Sequence, residues 1–348
     1  MARRLLWGSL VLAPVAVAAR FVFDAGDVPL FVLAAAALIP LAWLIGESTE
    51  HAAEHTGAGV GGFLNASFGN APELIIALFA VNEALPNVVR GSLAGSVISN
   101  ILLVLGVAII FGGEAELDRR SLWLQLSLVF VAVLAFLVPS IPGFDGNPDR
   151  HSLAMLTIPV AIFLLGLYVV LTVDNLRRHS AAHTAEAAST AWSLPRSLLV
   201  LGGATCLTAL VSEILVHSLD GFAQSVGLSE FFIAVVIVAI VGNAAEHGGA
   251  IVIARRGKMR LATEIAVSSS AQVALLVAPA VALLSFAVQP ALPLAFRVIE
   301  LVGMGIAALG VAIVIRDARS HRWEGVLLVT VYAAFVVWAG FAGDRGGG

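Results

Sequence analysis

The chain has 348 residues, 59% of them hydrophobic and 12% charged, with a mean hydropathy of +0.99. That balance excludes an ordinary soluble domain and specifies a polytopic membrane protein. A formal net charge of −4, held by few residues placed mainly in connections, singles out no partner, and no nucleic-acid role is expected; the single cysteine, Cys206, excludes an intramolecular disulfide and any cysteine-rich metal site.

At about 20 residues per helical crossing, the apolar runs predict eleven spans, at residues 5–22, 28–48, 59–82, 88–112, 121–140, 152–174, 197–217, 229–254, 261–286, 292–315 and 324–342. Runs this long and continuous read as helices rather than barrel strands. The expected fold is therefore an all-α polytopic membrane protein, with membrane lipid as its surroundings. The first span opens "MARRLLWGSLVLAPVAVAAR", which also has the basic start and A-x-A ending of a signal peptide; it is read as a retained helix.

Basic residues test this layout independently, because cytoplasmic loops collect Lys and Arg. With the N-terminus inside, 14 of the 19 basic residues fall in inside segments, among them Arg119, Arg120, Arg255, Arg256, Lys258 and Arg260. The outside segments hold only Arg20, Arg90, Arg150, Arg297 and Arg345.

Residues 175–196, "NLRRHSAAHTAEAASTAWSLPR", read as a cytoplasmic linker dividing the chain nearly in half, and on either side of it the sequence repeats. "FGNAPELIIALFA" in the third span answers "VGNAAEHGGAIVIA" in the eighth, so that Asn70 and Glu73 lie 173 residues before Asn243 and Glu246. "GSVISNILLVLG" in the fourth span answers "SSSAQVALLVAP" in the ninth, pairing Ser96 with Ser268 and Asn100 with Gln272 at an offset of 172. The predicted organisation is an N-terminal transmembrane helix (1–27), a first five-helix repeat (28–174), the linker (175–196) and a second five-helix repeat (197–348). An odd number of crossings inverts the second copy relative to the first, the arrangement of secondary transporters whose sites lie near the midplane between copies.

Two carboxylates in hydrocarbon need partners or a task, since a lone charge there costs about 3 kcal/mol on insertion scales. Glu73 and Glu246, equivalent in inverted copies, are expected near mid-membrane, where one divalent cation neutralises both. Asn and Glu three residues apart share a helix face, so "GNAPE" (Gly69, Asn70, Ala71, Glu73) and "GNAAE" (Gly242, Asn243, Ala244, Glu246) each offer a carboxylate and an amide oxygen. Gly69 and Gly242 leave room for close helix approach, and Pro72 is expected to free the carbonyl of Phe68. Hard oxygens of this kind suit calcium. The same oxygens bind protons, so metal and proton compete for one site. A protein that cannot change conformation with the site empty and charged must then exchange one for the other.

These four motifs, in this order, with "LAWLIGESTEHAAEHTG" before the third span, resemble the calcium/proton antiporters, the cation exchanger family of the calcium/cation antiporter superfamily. The likeness covers about residues 28–342. It implies an eleven-helix fold, alternating access, transported Ca2+ and H+ with no cofactor and no enzymatic activity, and cation coordination by Glu73, Asn70, Glu246 and Asn243. It also implies supporting roles for Ser96, Ser99, Asn100, Ser268, Ser269 and Gln272. Glu50 and Glu213, the first-helix acids of the two repeats, resemble family positions and are read as pathway or gating groups, with Glu230 and Glu264 behind them. His247, about 100° around the helix from Glu246, is read as a neighbour of the site or a proton relay rather than a ligand. One departure is that vacuolar members carry an acidic central connection, whereas residues 175–196 hold only Glu186 as an acid.

The expected function is Ca2+/H+ exchange in a bacterial plasma membrane with the N-terminus cytoplasmic. The alternative on the same fold is Na+/H+, K+/H+ or Mn2+/H+ exchange. A remote alternative is an intramembrane zinc peptidase, since "HAAEH", His51 to His55, matches H-x-x-E-H. Nothing in the sequence specifies an oligomeric state.

Overall fold

The computed structural model describes residues 2–144, 146–179 and 192–343, and they are almost entirely helical. Most of the central linker, residues 180–191 with Glu186, lies outside the described residues. The chain opens with α1 (Ala2–Ser9) and α2 (Leu12–Phe21), then α3 (Asp27–Gly69) and α4 (Ala71–Asn82). Next, α5 (Pro86–Ile98) passes through a π-helical turn at Ser99–Val104 into α6 (Leu105–Gly112), and β1 (Ala115–Glu116) leads to α7 (Arg119–Phe144) and α8 (His151–His179). After the linker come α9 (Leu194–His217), α10 (Leu219–Val226), α11 (Glu230–Phe232), a second π turn at Ile233–Val238, α12 (Ala239–Gly242) and α13 (Ala244–Arg255). Then α14 (Met259–Gln272) passes through a third π turn at Val273–Val277 into α15 (Ala278–Val288). α16 (Val298–Val314), β2 (Arg319–Ser320) and α17 (Arg322–Ala342) complete the chain, with β1 and β2 paired antiparallel.

Among the described residues, eight helices are long and apolar enough to cross a membrane, or nine if α10 and the helix after it, bent by 112°, form one span. Every predicted span falls on helix, but two boundaries differ. The second and third were expected to be separate, whereas α3 runs unbroken through "GESTEHAAEH" for 43 residues. Glu and Ala favour helix even outside the membrane, and at about 64 Å α3 far exceeds the hydrocarbon thickness. The tenth was expected from residue 292, but α16 starts at Val298. Residues 291–297 before it form no helix, in a stretch where Pro290 and Pro293 have no backbone N–H to donate.

Burial places the motif helices centrally. In the most apolar stretch of Pro86–Gly112, 83% of residues are buried, against 28% in that of Arg322–Ala342. The two halves share their irregularities as well as their motifs. Asn70 interrupts α3 and α4 at φ −96°, ψ 13°, and Asn243 interrupts α12 and α13 at φ −94°, ψ 12°. The π turns at Ser99–Val104 and Val273–Val277 overlap when one is shifted by the repeat offset.

The corresponding helices run in opposite directions. Gly112, ending α6, lies so close to Met259, starting α14, that a Cβ on the glycine would meet its sulfur at 1.9 Å. At the other end Arg90 of α5 donates to the carbonyl of Pro293, just beyond α15, at 3.4 Å. Close approach at the centre depends on Gly95, where a Cβ would lie 2.1 Å from the carbonyl oxygen of Val235.

Candidate functional site

The two breaks set the site. Each Asn ends one helix and begins another, with Glu73 and Glu246 in the first turns of α4 and α13. Exposed amides and the positive end of a helix dipole favour a carboxylate there. The two copies cross at this level. The Cβ position of Gly69 lies 3.8 Å from Glu246 Oε1, and that of Gly242 lies 3.4 Å from Glu73 Cγ. Each carboxylate thus passes over the glycine that precedes the other copy's break, the close approach expected of Gly69 and Gly242. The carbonyl of Phe68, expected to be free, instead accepts the amide of Asn70, because the chain tightens at the break.

A hydrogen-bond network joins the four motifs. Asn70 Nδ2 donates to Gln272 Oε1 at 2.7 Å, and its repeat counterpart Asn243 accepts at Oδ1 from Asn100 Nδ2 at 3.1 Å. These are equivalent Asn–amide pairs from inverted copies. Asn243 also donates to Ser96 Oγ at 2.8 Å, and Asn100 donates to Ser269 Oγ at 2.9 Å. Ser269 in turn donates to Glu246. His247 is buried and contacts Asn100 Oδ1 through Nε2 at 2.8 Å. Ser99 and Ser268 bond carbonyls of their own helices, those of Ser96 and Ile265.

The two halves are chemically unequal. The residue corresponding to Ser269 is Val97, and the one corresponding to His247 is Leu74; neither can supply the bond its counterpart makes. Glu73 is buried with Oε2 unpartnered, whereas Glu246 is half-buried and held by Ser269. A buried carboxylate oxygen without a donor is costly unless a cation or a proton meets it.

The remaining predicted acids stand apart. Glu50 and Glu213 are exposed, Glu230 and Glu264 are half-buried, and Glu264 Oε1 lies 3.8 Å from Arg260 Nε. Among the described residues no three of His, Cys, Asp and Glu cluster to hold a metal. The ligand set on offer is carboxylate plus neutral amide and hydroxyl oxygen. His51 and His55 meet Trp192 instead, by ring contact at 4.6 Å and at its carbonyl at 2.6 Å.

Sequence reasoning missed the approach to this site. A cavity of about 800 Å3 is lined by Asp118, Gln125, Ser268 and Gln272, so it reaches the network through Gln272. The i, i+4 recurrence of Arg260, Glu264, Ser268 and Gln272 was a signal for it.

A bundle of apolar helices in which two broken helices from inverted copies present carboxylates to each other is the architecture of a secondary ion transporter. The chain belongs to the sodium/calcium exchanger protein family, whose model matches residues 27–176 and 196–341. It is 38% identical over 321 residues to the Ca(2+)/H(+) antiporter ChaA of Bacillus subtilis (strain 168), covering 88% of this chain and 91% of that protein. It is 34% identical over 352 residues to the Ca(2+)/H(+) antiporter of Synechocystis sp., covering 93% and 94%. The solved structure of native YfkE superposes with a TM-score of 0.83 at 33% identity, covering 97% of this chain and 99% of that one. The protein is thus an integral membrane exchanger of all-α fold.

Proposed function

We propose that the chain exchanges Ca2+ for H+ by alternating access, with Glu73 and Glu246 binding either the metal or protons. The observation that carries this is the pair of carboxylates at crossed helix breaks, one of them with an unpartnered buried oxygen. Calcium between them is countered by two negative charges and reached by the amide oxygens of Asn70 and Asn243. Protonation neutralises the same oxygens, so each loaded state can pass through the bilayer's low dielectric while the empty dianion cannot. Identity of 34–38% to proteins named Ca(2+)/H(+) antiporters supports calcium over sodium, potassium or manganese as the ion.

The supporting residues hold the first ring of ligands in place. Gln272 orients Asn70, Ser96 and Asn100 orient Asn243, and Ser269 orients Glu246. His247 acts through Asn100. Glu50, Glu213, Glu230 and Glu264 belong to the pathway rather than to the ion. In this reading the chain crosses the membrane eleven times as one helix and two inverted five-helix repeats, with a cytoplasmic N-terminus in a bacterial plasma membrane. No cofactor and no catalysis enter it.

The test is ion flux in proteoliposomes under an imposed pH gradient, comparing calcium, manganese, sodium and potassium. The expected result is calcium movement driven by the proton gradient. Flux of sodium or potassium alone, or calcium uptake that survives collapse of the proton gradient and membrane potential with no other ion exchanged, is the outcome against it.

A further inference from the structure

The cavity lined by Gln272 is also lined by Asp118, just before α7. This end of the bundle carries Arg119, Arg120, Arg255, Arg256, Lys258 and Arg260, which the distribution of basic residues assigns to the cytoplasm. Asp118 uses its two oxygens differently. Oδ1 accepts the backbone amide of Ser121 at 3.1 Å and caps α7, while Oδ2 is taken by the guanidinium of Arg260 on α14.

Arg260 has a second carboxylate within reach. Glu264, one turn along the same helix, lies 3.8 Å from its Nε. The guanidinium therefore stands between an acid of the first half and an acid of the second, and its side chain is 66% exposed. From Arg260 the polar positions Glu264, Ser268 and Gln272 wind slowly along one side of α14, over about 18 Å. Gln272 is bonded to Asn70. On the facing wall Gln125 presents a buried Oε1 without a partner.

Resting on calcium/proton exchange as the function, we infer that Asp118 is the first carboxylate a cytoplasmic calcium ion meets and that Arg260 is a tethered cation holding its place until calcium displaces it toward Glu264. Asp118 lines the cavity while Arg260 occupies its Oδ2, so calcium binding at this carboxylate requires the guanidinium to leave that oxygen. It retains a counter-charge at Glu264 when it does. Oxygens along α14 then receive the ion in order of depth. Asp118 and Arg260 thereby set apparent affinity on one face of the membrane without touching the midplane site.

The test is calcium-dependent exchange measured separately from each face, in everted and right-side-out membrane vesicles, for Arg260→Gln, Asp118→Asn, Arg260→Lys and the Asp118→Asn/Arg260→Gln double variant. Arg260→Gln should lower the cytoplasmic-side KM for calcium on the order of twofold to fivefold, the range of a solvent-facing ion pair. Maximal rate and the KM from the opposite face should not move. Asp118→Asn keeps the helix cap and should raise the cytoplasmic KM, and Arg260→Lys should stay near the parent. In the Asp118→Asn background, Arg260→Gln should lose its effect. An equal effect in that background assigns Arg260 to the general field and overturns displacement, as does a KM change of the same size from both faces. Absence of proton-coupled calcium flux in the parent protein overturns the functional reading and this inference with it, whereas the variant comparisons above overturn displacement alone.

Discussion

Glu73 and Glu246 are equivalent by repeat but not by surroundings, since Ser269 bonds Glu246 and Val97 stands at the matching place beside Glu73. Glu73→Gln and Glu246→Gln keep shape and remove both charge and exchangeable proton. Each should abolish calcium/proton exchange in proteoliposomes while the protein remains inserted and folded by gel filtration; near-normal transport by either removes that residue from the shared site. The amides act as dipoles rather than charges. Asn70→Ala and Asn243→Ala should weaken apparent calcium affinity by roughly tenfold to a hundredfold, if an oxygen–cation contact is worth the 1.5–3 kcal/mol of a hydrogen bond to a charged group. Ser96→Ala and Gln272→Ala should cost less, and the reverse order in a calcium titration at fixed pH would exchange the roles of ligand and support. Asp118 adds a pH argument outside the membrane. The Ser121 amide, and then Arg260, hold its carboxyl below the usual carboxylate range. A depressed carboxyl stays charged above the ordinary value and loses its contribution only as pH falls through its lowered pKa. Asp118→Asn should therefore leave the shape of the pH profile between about pH 5 and 8 unchanged, because Asp118 does not titrate there.

At the scale of elements, the site depends on helices that approach backbone to backbone. Gly95 of α5 sits against the π turn at Ile233–Val238, where a Cβ would stand 2.1 Å from the Val235 carbonyl and 2.8 Å from Ala239 Cβ. Backbone cannot yield as a flexible side chain does, so Gly95→Ala must push α5 away from the helix that ends at Asn243. Overpacking of this kind costs about 1–3 kcal/mol. A lowered thermal unfolding midpoint with reduced exchange is the expected result, and an unchanged midpoint would mean that the helices are further apart than described here. Gly106 and Gly325 make a second such contact between α6 and α17, each Cβ position lying under 3 Å from the other's carbonyl oxygen. Small residues at such crossings are how membrane helices associate without a hydrophobic drive.

For the whole molecule, the proposed shared site between two inverted copies makes transport a matter of which side reaches Gln272 and Asn70. On the proposed reading protons and calcium use the same oxygens, so acidifying the face from which calcium loads should raise its apparent KM, and acidifying the opposite face should speed exchange. Everted vesicles acidified inside should accumulate calcium. Uptake that persists after both the proton gradient and the membrane potential are collapsed, with no other ion exchanged, would uncouple the protein from protons.

Composition and repetition determined much of this protein before any coordinate. Hydropathy specified membrane helices, because every backbone polar group in lipid must be satisfied within its own segment. The matched spacing of "GNAPE" with "GNAAE" placed Asn70, Glu73, Asn243 and Glu246 in equivalent positions, because inverted repetition is written residue by residue. Tertiary structure decided what pattern does not carry. Helix propensity in a charged connection made α3 continuous across Glu47 to Thr56, where charge alone suggested a loop. Bond direction turned Ser99 and Ser268 onto their own helices and Ser269 onto Glu246, although all three are serines of the same motifs. Beside the cavity Asp118 pairs with Arg260 across 142 positions. No local pattern announces such a pair, because it exists only once the two halves have folded against each other.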